Sequence, residues 1–226
     1  MTGEGRPLQL AHRGDVRRAP ENTLAALAAA LVAPACDGLE FDLRASADGL
    51  AVLLHDPTLA RVFGRPERVR DLAAAELAAI GVPTLAAVLG AIPARAFLDV
   101  ELKEELGEAA VGPLRAARGL PGGGLARAVV SSFDPGALAT VRALAPAWPT
   151  WLNAVDLSAS TLAAARAIAC SGLSAAAGVI DEDSAARVRE AGLDLAAWTV
   201  RDPGELGRLT GLGLVAVCVE GALLDG

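Results

Sequence analysis

The chain has 226 residues, 53% of them hydrophobic and 21% charged, a globular balance sufficient for one large domain or two small ones and unlike that of a disordered chain. Its formal net charge of −7 argues against nucleic acid as the main partner, since phosphate backbones are held by clustered Lys and Arg; a small phosphate ligand, held locally by a metal and two cations, stays open. With no Tyr, three Trp and four Phe, the composition suits helices packed on small-residue strands and not an aromatic-rich β-sandwich.

Residues 1–10 carry no apolar signal core. A first strand is predicted at 8–11. The helix that follows is marked by Pro20-Glu21-Asn22-Thr23 and the stripe Leu24, Leu27, Leu31, within an apolar run (24–36) too short to span a bilayer and interrupted by Pro34. A second strand is predicted at 38–43 and another at 51–55. Too few residues separate these two for a parallel crossover, and Asp48-Gly49 signals a two-residue hairpin turn. A turn centred on that pair sets His55 opposite Asp42. Residues 57–82 read as a small helical excursion before a helix at 84–89.

From 97 onward, strands and helices alternate. Residues 97–102 form a strand, followed by a helix burying Leu106, Ala110, Val111 and Leu114. A strand at 128–132 leads to Asp134-Pro135, which opens a helix with Leu138, Val141 and Leu144 on its inner face. Strand 151–155, a helix from Ser158 through Leu162 and Ile168, a weak strand at 174–180 and a helix from Asp181 come next. Strand 194–200, a helix opened by Asp202-Pro203 and a strand at 214–219 finish the chain. Pro121-Gly122-Gly123-Gly124 is a loop with no following GK[ST] phosphate-loop signature, and no internal repeat is evident.

Eight parallel strands joined by helices predict an α/β fold, a TIM (β/α)8 barrel with a small insertion after the second strand. The chain then forms one domain over 1–226, with 57–82 as the insertion. A doubly wound sheet is the alternative, although no GxGxxG follows the first strand. Cys36, Cys170 and Cys218 form no CxxC pair and fit unpaired core thiols in a reducing compartment. These features predict a cytoplasmic protein without stable membrane insertion.

Glu40 and Asp42 are two apart on a strand and share a face, as do Glu101 and Lys103. Three carboxylates converging on a barrel mouth make an oxygen-rich site for Mg²⁺ or Ca²⁺; the bland alternative is salt-bridged surface acids. His12 and His55, the only histidines, each end a strand on the rim where barrel enzymes carry their chemistry. They suit an acid–base pair. Zinc ligation is weaker for lack of an HxH or HExxH pattern. Arg13 and Lys103 beside the acids either hold a phosphoryl group or simply neutralise neighbours. Trp198 is either core or a ligand platform.

Ala11-His12-Arg13-Gly14, Pro20-Glu21-Asn22-Thr23, Glu40-Phe41-Asp42 and Asp48-Gly49 leading into Val52-Leu53-Leu54-His55-Asp56 resemble the glycerophosphodiester phosphodiesterase family. Pro83-Thr84-Leu85, Glu101-Leu102-Lys103, Ser131-Ser132-Phe133 and Trp198-Thr199-Val200 follow in that family's order, over nearly the whole chain. The resemblance implies a TIM barrel that hydrolyses small-molecule glycerophosphodiesters to glycerol 3-phosphate and an alcohol with Mg²⁺ or Ca²⁺. It implies Glu40, Asp42 and Glu101 as metal ligands, His12 and His55 as acid and base, Arg13 and Lys103 as phosphate contacts, and Trp198 as a substrate contact. It also implies a cyclic phosphate intermediate. Four positions depart from the family pattern: Ala60, Ala86, Arg201 and Glu220. Arg201 raises the expectation of an extra cation at the mouth, favouring a doubly charged substrate. The rival readings are a lysophospholipase D-like or phosphatidylinositol phospholipase-like phosphodiesterase, a non-catalytic phosphodiester-binding barrel, and a hydrolase acting on carbon–nitrogen bonds.

Overall fold

The structure, a computed structural model, describes residues 5–226; the first four residues of the stretch read for a signal core lie outside it. Among the described residues nine strands form: β1 (Leu8–His12), β2 (Gly38–Ala45), β3 (Ala51–Leu53), β4 (Phe97–Leu102), β5 (Ala128–Ser132), β6 (Thr150–Ala154), β7 (Gly172–Ala176), β8 (Asp194–Val200) and β9 (Ala216–Val219). Eight are parallel, in the order β1-β9-β8-β7-β6-β5-β4-β2, and pairing of β1 with β2 closes the barrel. The predicted (β/α)8 barrel is therefore the observed one. Closure leaves the eight parallel strands without a free edge.

Side chains alternate along each strand, so every second residue enters the lumen. Leu39, Phe41 and Leu43 of β2, and Leu98, Val100 and Leu102 of β4, belong to the large core packed outward against the helices. Leu10, Phe97, Val129, Trp151, Ala196 and Ala216 form a separate cluster inside the barrel. Phe97 and Trp151 stack there with ring centroids 6.3 Å apart. Gly172 leaves room for this plug, because a Cβ on it would lie 2.9 Å from Trp151 Cδ1 and 2.6 Å from the Asp194 carbonyl oxygen. One step further along the strands the inward positions turn polar: Glu40, Asp99, Ser131, Asn153 and Ser174. The lumen is thus sealed by apolar side chains below and opens to a polar floor above.

Side-chain caps start the helices where the sequence placed them. Thr23 accepts from Ala26 N, Thr84 from Ala87 N, Asp134 from Gly136 N, and Asp202 from Glu205 N. Pro135 and Pro203 occupy first-turn positions, where a missing N–H costs nothing.

Several predicted details change. The hairpin is not a two-residue turn: Leu43 pairs with Leu53 and Ala45 with Ala51, which slips the register by one residue and puts Leu54, not His55, beside Asp42. The loop is built by Gly49 at φ 76°, by its N–H bonded to the Ser46 carbonyl, and by the Ser46 hydroxyl, which accepts from Leu50 N. His55 still reaches the mouth because the chain leaves strand geometry after Leu53. The strand predicted at 174–180 runs over Gly172–Ala176, and Ala177–Val179 is a 3₁₀ turn. Leu24 and Leu144 face solvent; Ala26 and Ala30 fill the first position's place, and Ala145 with Trp148 the second's. The strand predicted from Leu214 begins at Ala216, and Val155 falls outside β6.

Residues 57–82 contain two short helices, Ala60–Phe63 and Ala74–Ala79, with a 3₁₀ turn between them. Leu59, Val69, Ala74, Leu77 and Val82 pack on Val52 and Leu54 as a small core of their own.

Candidate active site

Parallel register sets the acids side by side: His12 pairs with Glu40, Glu40 with Asp99, and Asp42 with Glu101. Glu40, Asp42 and Glu101 each offer an oxygen within 4.8 Å of the others', and all three are buried. Glu40 and Glu101 line a cavity of about 570 Å³ with His12, Arg13, His55, Lys103 and Trp198, and Asp42 lies fully buried beside them. All eight residues singled out in the sequence are brought to this one end of the barrel.

Asp42, fully buried, is the most heavily braced. Its Oδ2 accepts from Asn22 Nδ2 at 2.8 Å, and its backbone N–H donates to Asn22 Oδ1 at 3.2 Å. Arg13 Nε lies 3.0 Å from Oδ2 and Lys103 Nζ 2.9 Å from Oδ1. Lys103 also contacts Glu101 closely. Burial pushes the Asp42 carboxyl up, but Lys103, Arg13, His55 and Asn22 outweigh it and hold it below the usual range. Glu40 goes the other way. Burial raises it well above an ordinary glutamate, repulsion from Asp42, Glu101 and Asp99 adds to that, and Arg13 offsets only part. Glu101 is raised by burial and by Asp42, against the pull of Lys103. Asp99, beneath them, is pushed up to about 7 by burial, although Ser131 donates to it at 2.5 Å.

The donor set matches a hard divalent cation. Glu40 Oε1 is buried without a hydrogen-bond partner, and the carboxylates outnumber the two cations among them.

Arg13 and Asn22 both adopt left-handed backbone, φ 60° and 58°. Arg13 N donates to the Glu40 carbonyl at 2.9 Å and Asn22 N to the Arg13 carbonyl at 3.0 Å. These bonds fold the loop after β1 across the mouth. Arg13 also reaches Glu21 at 3.0 Å.

Each histidine is held in the same way. His12 Nδ1 lies 2.5 Å from Glu220 Oε1, and Arg201 grips that carboxylate at 2.7 and 3.0 Å. His55 Nδ1 lies 2.7 Å from Asp56 Oδ1, and Arg61 donates to Asp56 Oδ2 at 2.6 Å. Arg61 also bridges to Glu21 at 2.6 and 2.7 Å. Burial lowers the His55 imidazole, more than Asp42 and Asp56 raise it. Burial would raise Glu220, but His12 and Arg201 hold it down at about 2. Arg201, expected as an extra cation for substrate, is thus engaged by Glu220. Trp198 is half-buried; its indole N–H donates to the Ser174 carbonyl at 2.9 Å, and its ring meets Phe133 edge-on at 5.5 Å.

Sequence reasoning had not identified Asn22, Asp99, Arg61 or Glu220 as part of the site. For Asp99 the signal was available, two residues before Glu101 on the same strand face. For Glu220 it was the acidic residue at the end of the last strand.

Comparison with known proteins gives a consistent picture. The model of the glycerophosphoryl diester phosphodiesterase family matches residues 12–222. A glycerophosphodiester phosphodiesterase of Caldanaerobacter subterraneus subsp. tengcongensis is 34% identical over 110 residues, covering 42% of this chain and 45% of that protein. Glycerophosphodiester phosphodiesterase 1 of Bos taurus is 48% identical over 63 residues, 28% of this chain and 19% of that protein. The matches thus span less than half the length of these curated relatives. An Oleispira antarctica phosphodiesterase, solved in complex with the product sn-glycerol-3-phosphate, superimposes with a TM-score of 0.82 at 27% identity, covering 95% of this chain and 93% of that one. A Thermotoga maritima glycerophosphodiester phosphodiesterase shares the fold, with a TM-score of 0.79 at 22% identity over 99% of this chain and 97% of that one.

Proposed function

Because the chain belongs to the glycerophosphoryl diester phosphodiesterase family, we propose that it hydrolyses small glycerophosphodiesters to glycerol 3-phosphate and an alcohol, feeding glycerol and lipid metabolism. The observation that carries this reading is the convergence of Glu40, Asp42 and Glu101 beneath two histidines that are each held at Nδ1. Glu40, Asp42 and Glu101 would hold a Mg²⁺ or Ca²⁺ ion, which would supply charge neutralisation for the phosphate and a lowered pKa for the attacking hydroxyl.

His12 and His55 supply the proton transfers. One takes the proton from the glycerol 2-hydroxyl as that oxygen attacks phosphorus; the other gives a proton to the departing alcohol. The resulting cyclic phosphate is opened by water with the two roles exchanged. Arg13 and Lys103, the cations beside Asp42, would contact the phosphoryl group. Trp198 presents its ring beside Phe133 as a wall for the substrate. The chain works as one barrel domain, and the 57–82 insertion contributes Arg61. Three free cysteines fit a cytoplasmic setting, and among the described residues no helix is long and apolar enough to cross a membrane.

One observation favours a second reading. Phe133, Val155 and Val179 are exposed apolar residues just beyond the ends of three successive strands, β5 to β7. An apolar rim there suits a lysophospholipid, the substrate of a lysophospholipase D-like enzyme.

The test is release of glycerol 3-phosphate from glycerophosphocholine and glycerophosphoethanolamine, with Mg²⁺, Ca²⁺ or EDTA, by wild type and His12→Ala. Metal-dependent release lost in the variant supports the reading. No release from folded wild type, with choline freed from lysophosphatidylcholine, favours the second reading. No turnover of either leaves a binding barrel.

A further inference from the structure

Arg201 and Glu220, two positions that depart from the family pattern, meet in the fold. Barrel closure explains why: β8, β9 and β1 are consecutive neighbours, and Arg201, Glu220 and His12 stand at or just past their ends. Arg201 Nε and Nη2 donate to the two carboxylate oxygens of Glu220, and Glu220 Oε1 in turn meets His12 Nδ1 at 2.5 Å. The other ring nitrogen, His12 Nε2, faces the acidic floor, 3.8 Å from Glu40 Oε2. Exposure falls along the series, from 64% for the Arg201 side chain to 19% for Glu220 and 13% for His12. Water therefore competes least at the contact that matters to the imidazole.

An ionised carboxylate accepts hydrogen bonds and cannot donate them. Its partner on the ring must carry the proton, and the hydrogen bond at one nitrogen decides the state of the other. We infer that Glu220 is a positioning residue for His12, which keeps the ring proton on Nδ1 and aims Nε2 at the acidic floor, and that Arg201 acts through Glu220 instead of on substrate. The inference rests on the reading of His12 as an acid–base group. It assigns the two departures one joint role: Glu220 supplies the acceptor, and Arg201 keeps that carboxylate from swinging away.

The chain's two histidines make the ring state directly readable. Protein labelled with ¹⁵N-histidine, in alkaline buffer and with His55→Gln for assignment, should show His12 as the Nδ1–H tautomer. Glu220→Ala should shift His12 toward Nε2–H and leave His55, which is bound to Asp56, unchanged. An unaltered His12 tautomer in that variant would overturn the inference. Glu220→Gln, which retains an acceptor oxygen, guards against a folding defect and should give an intermediate spectrum.

Kinetics separates the role of Arg201. Glu220→Ala should lower kcat on glycerophosphocholine on the order of 10²-fold with KM within about twofold. Arg201→Ala should cost roughly tenfold alone and nothing more in the Glu220→Ala background. A loss of equal size in both backgrounds, or one confined to KM, would instead assign Arg201 to substrate. Wild type inactive on every glycerophosphodiester would overturn the proposed reaction, and the tautomer comparison would still decide the Glu220–His12 contact.

Discussion

Asn22 holds Asp42 from two directions: its side-chain amide donates to the carboxylate at 2.8 Å, and its side-chain oxygen accepts the Asp42 backbone N–H at 3.2 Å. Both residues are fully buried, and Asn22 holds this position in left-handed backbone, a conformation that Asn tolerates better than Ala. Asn22→Ala should therefore destabilise the protein by about 1–3 kcal/mol through unpaired buried polar groups. It should also weaken divalent-cation binding by roughly 10- to 100-fold, as expected when a group orienting a ligand is lost. Asn22→Gly relieves the backbone but not the hydrogen bonds. If urea unfolding and calorimetric titration show Gly restoring both properties, the backbone and not the amide is what matters.

The metal-free protein should lose stability as pH rises. Glu40 and Glu101 have folded pKa values above their unfolded ones, so between the two values the folded state keeps protons that the unfolded state has released. Stability then falls with rising pH across that window. A bound cation favours the ionised carboxylates and should flatten the slope, so its stabilising effect should be larger at pH 8 than at pH 5. Melting temperatures with EDTA and with Mg²⁺ or Ca²⁺ at both pH values would check this; a metal effect independent of pH would count against these acids as the ligands.

Asp99 gives a sharper version of the same argument. Its carboxyl is pushed up to about 7, so its contribution to stability declines as pH rises from the ordinary aspartate range through that value. Asp99→Asn removes the charge and keeps the Ser131 contact. The variant should gain on wild type by on the order of 2–4 kcal/mol between pH 5 and pH 8 in metal-free buffer. Parallel pH dependences for the two proteins would show that Asp99 is ionised throughout.

The lumen plug predicts a steric result away from the site. A Cβ on Gly172 would press on the Asp194 carbonyl oxygen at 2.6 Å, a backbone atom that cannot rotate aside, and on Trp151. Gly172→Ala should cost about 1–3 kcal/mol as an overpacking change. Pairing it with Trp151→Phe should recover only the part due to the indole, and denaturant midpoints of the single and double variants would separate the two contributions.

Much of this molecule was legible in local pattern. Strand alternation, Asp-Pro helix starts and the spacing of Glu40 with Asp42 act over a few residues, so the order of elements and the shared face of the acids followed from the chain alone. The hairpin register did not, because the position of Gly49 and the hydrogen bond that the Ser46 hydroxyl accepts from Leu50 N decide it by one residue. Nor did the stripes at Leu24 and Leu144, which the fold turns to solvent while Ala26, Ala30, Ala145 and Trp148 are buried.

The sequence by itself determined which residues are able to do the chemistry and which strands end with them. Only the tertiary structure decided which of them touch. His12 and Glu220 lie 208 positions apart and meet because the last strand closes on the first. Asn22 meets Asp42 because a left-handed turn folds the loop back over the mouth. Such contacts arise from closure of the whole barrel, and no short window of sequence contains both partners.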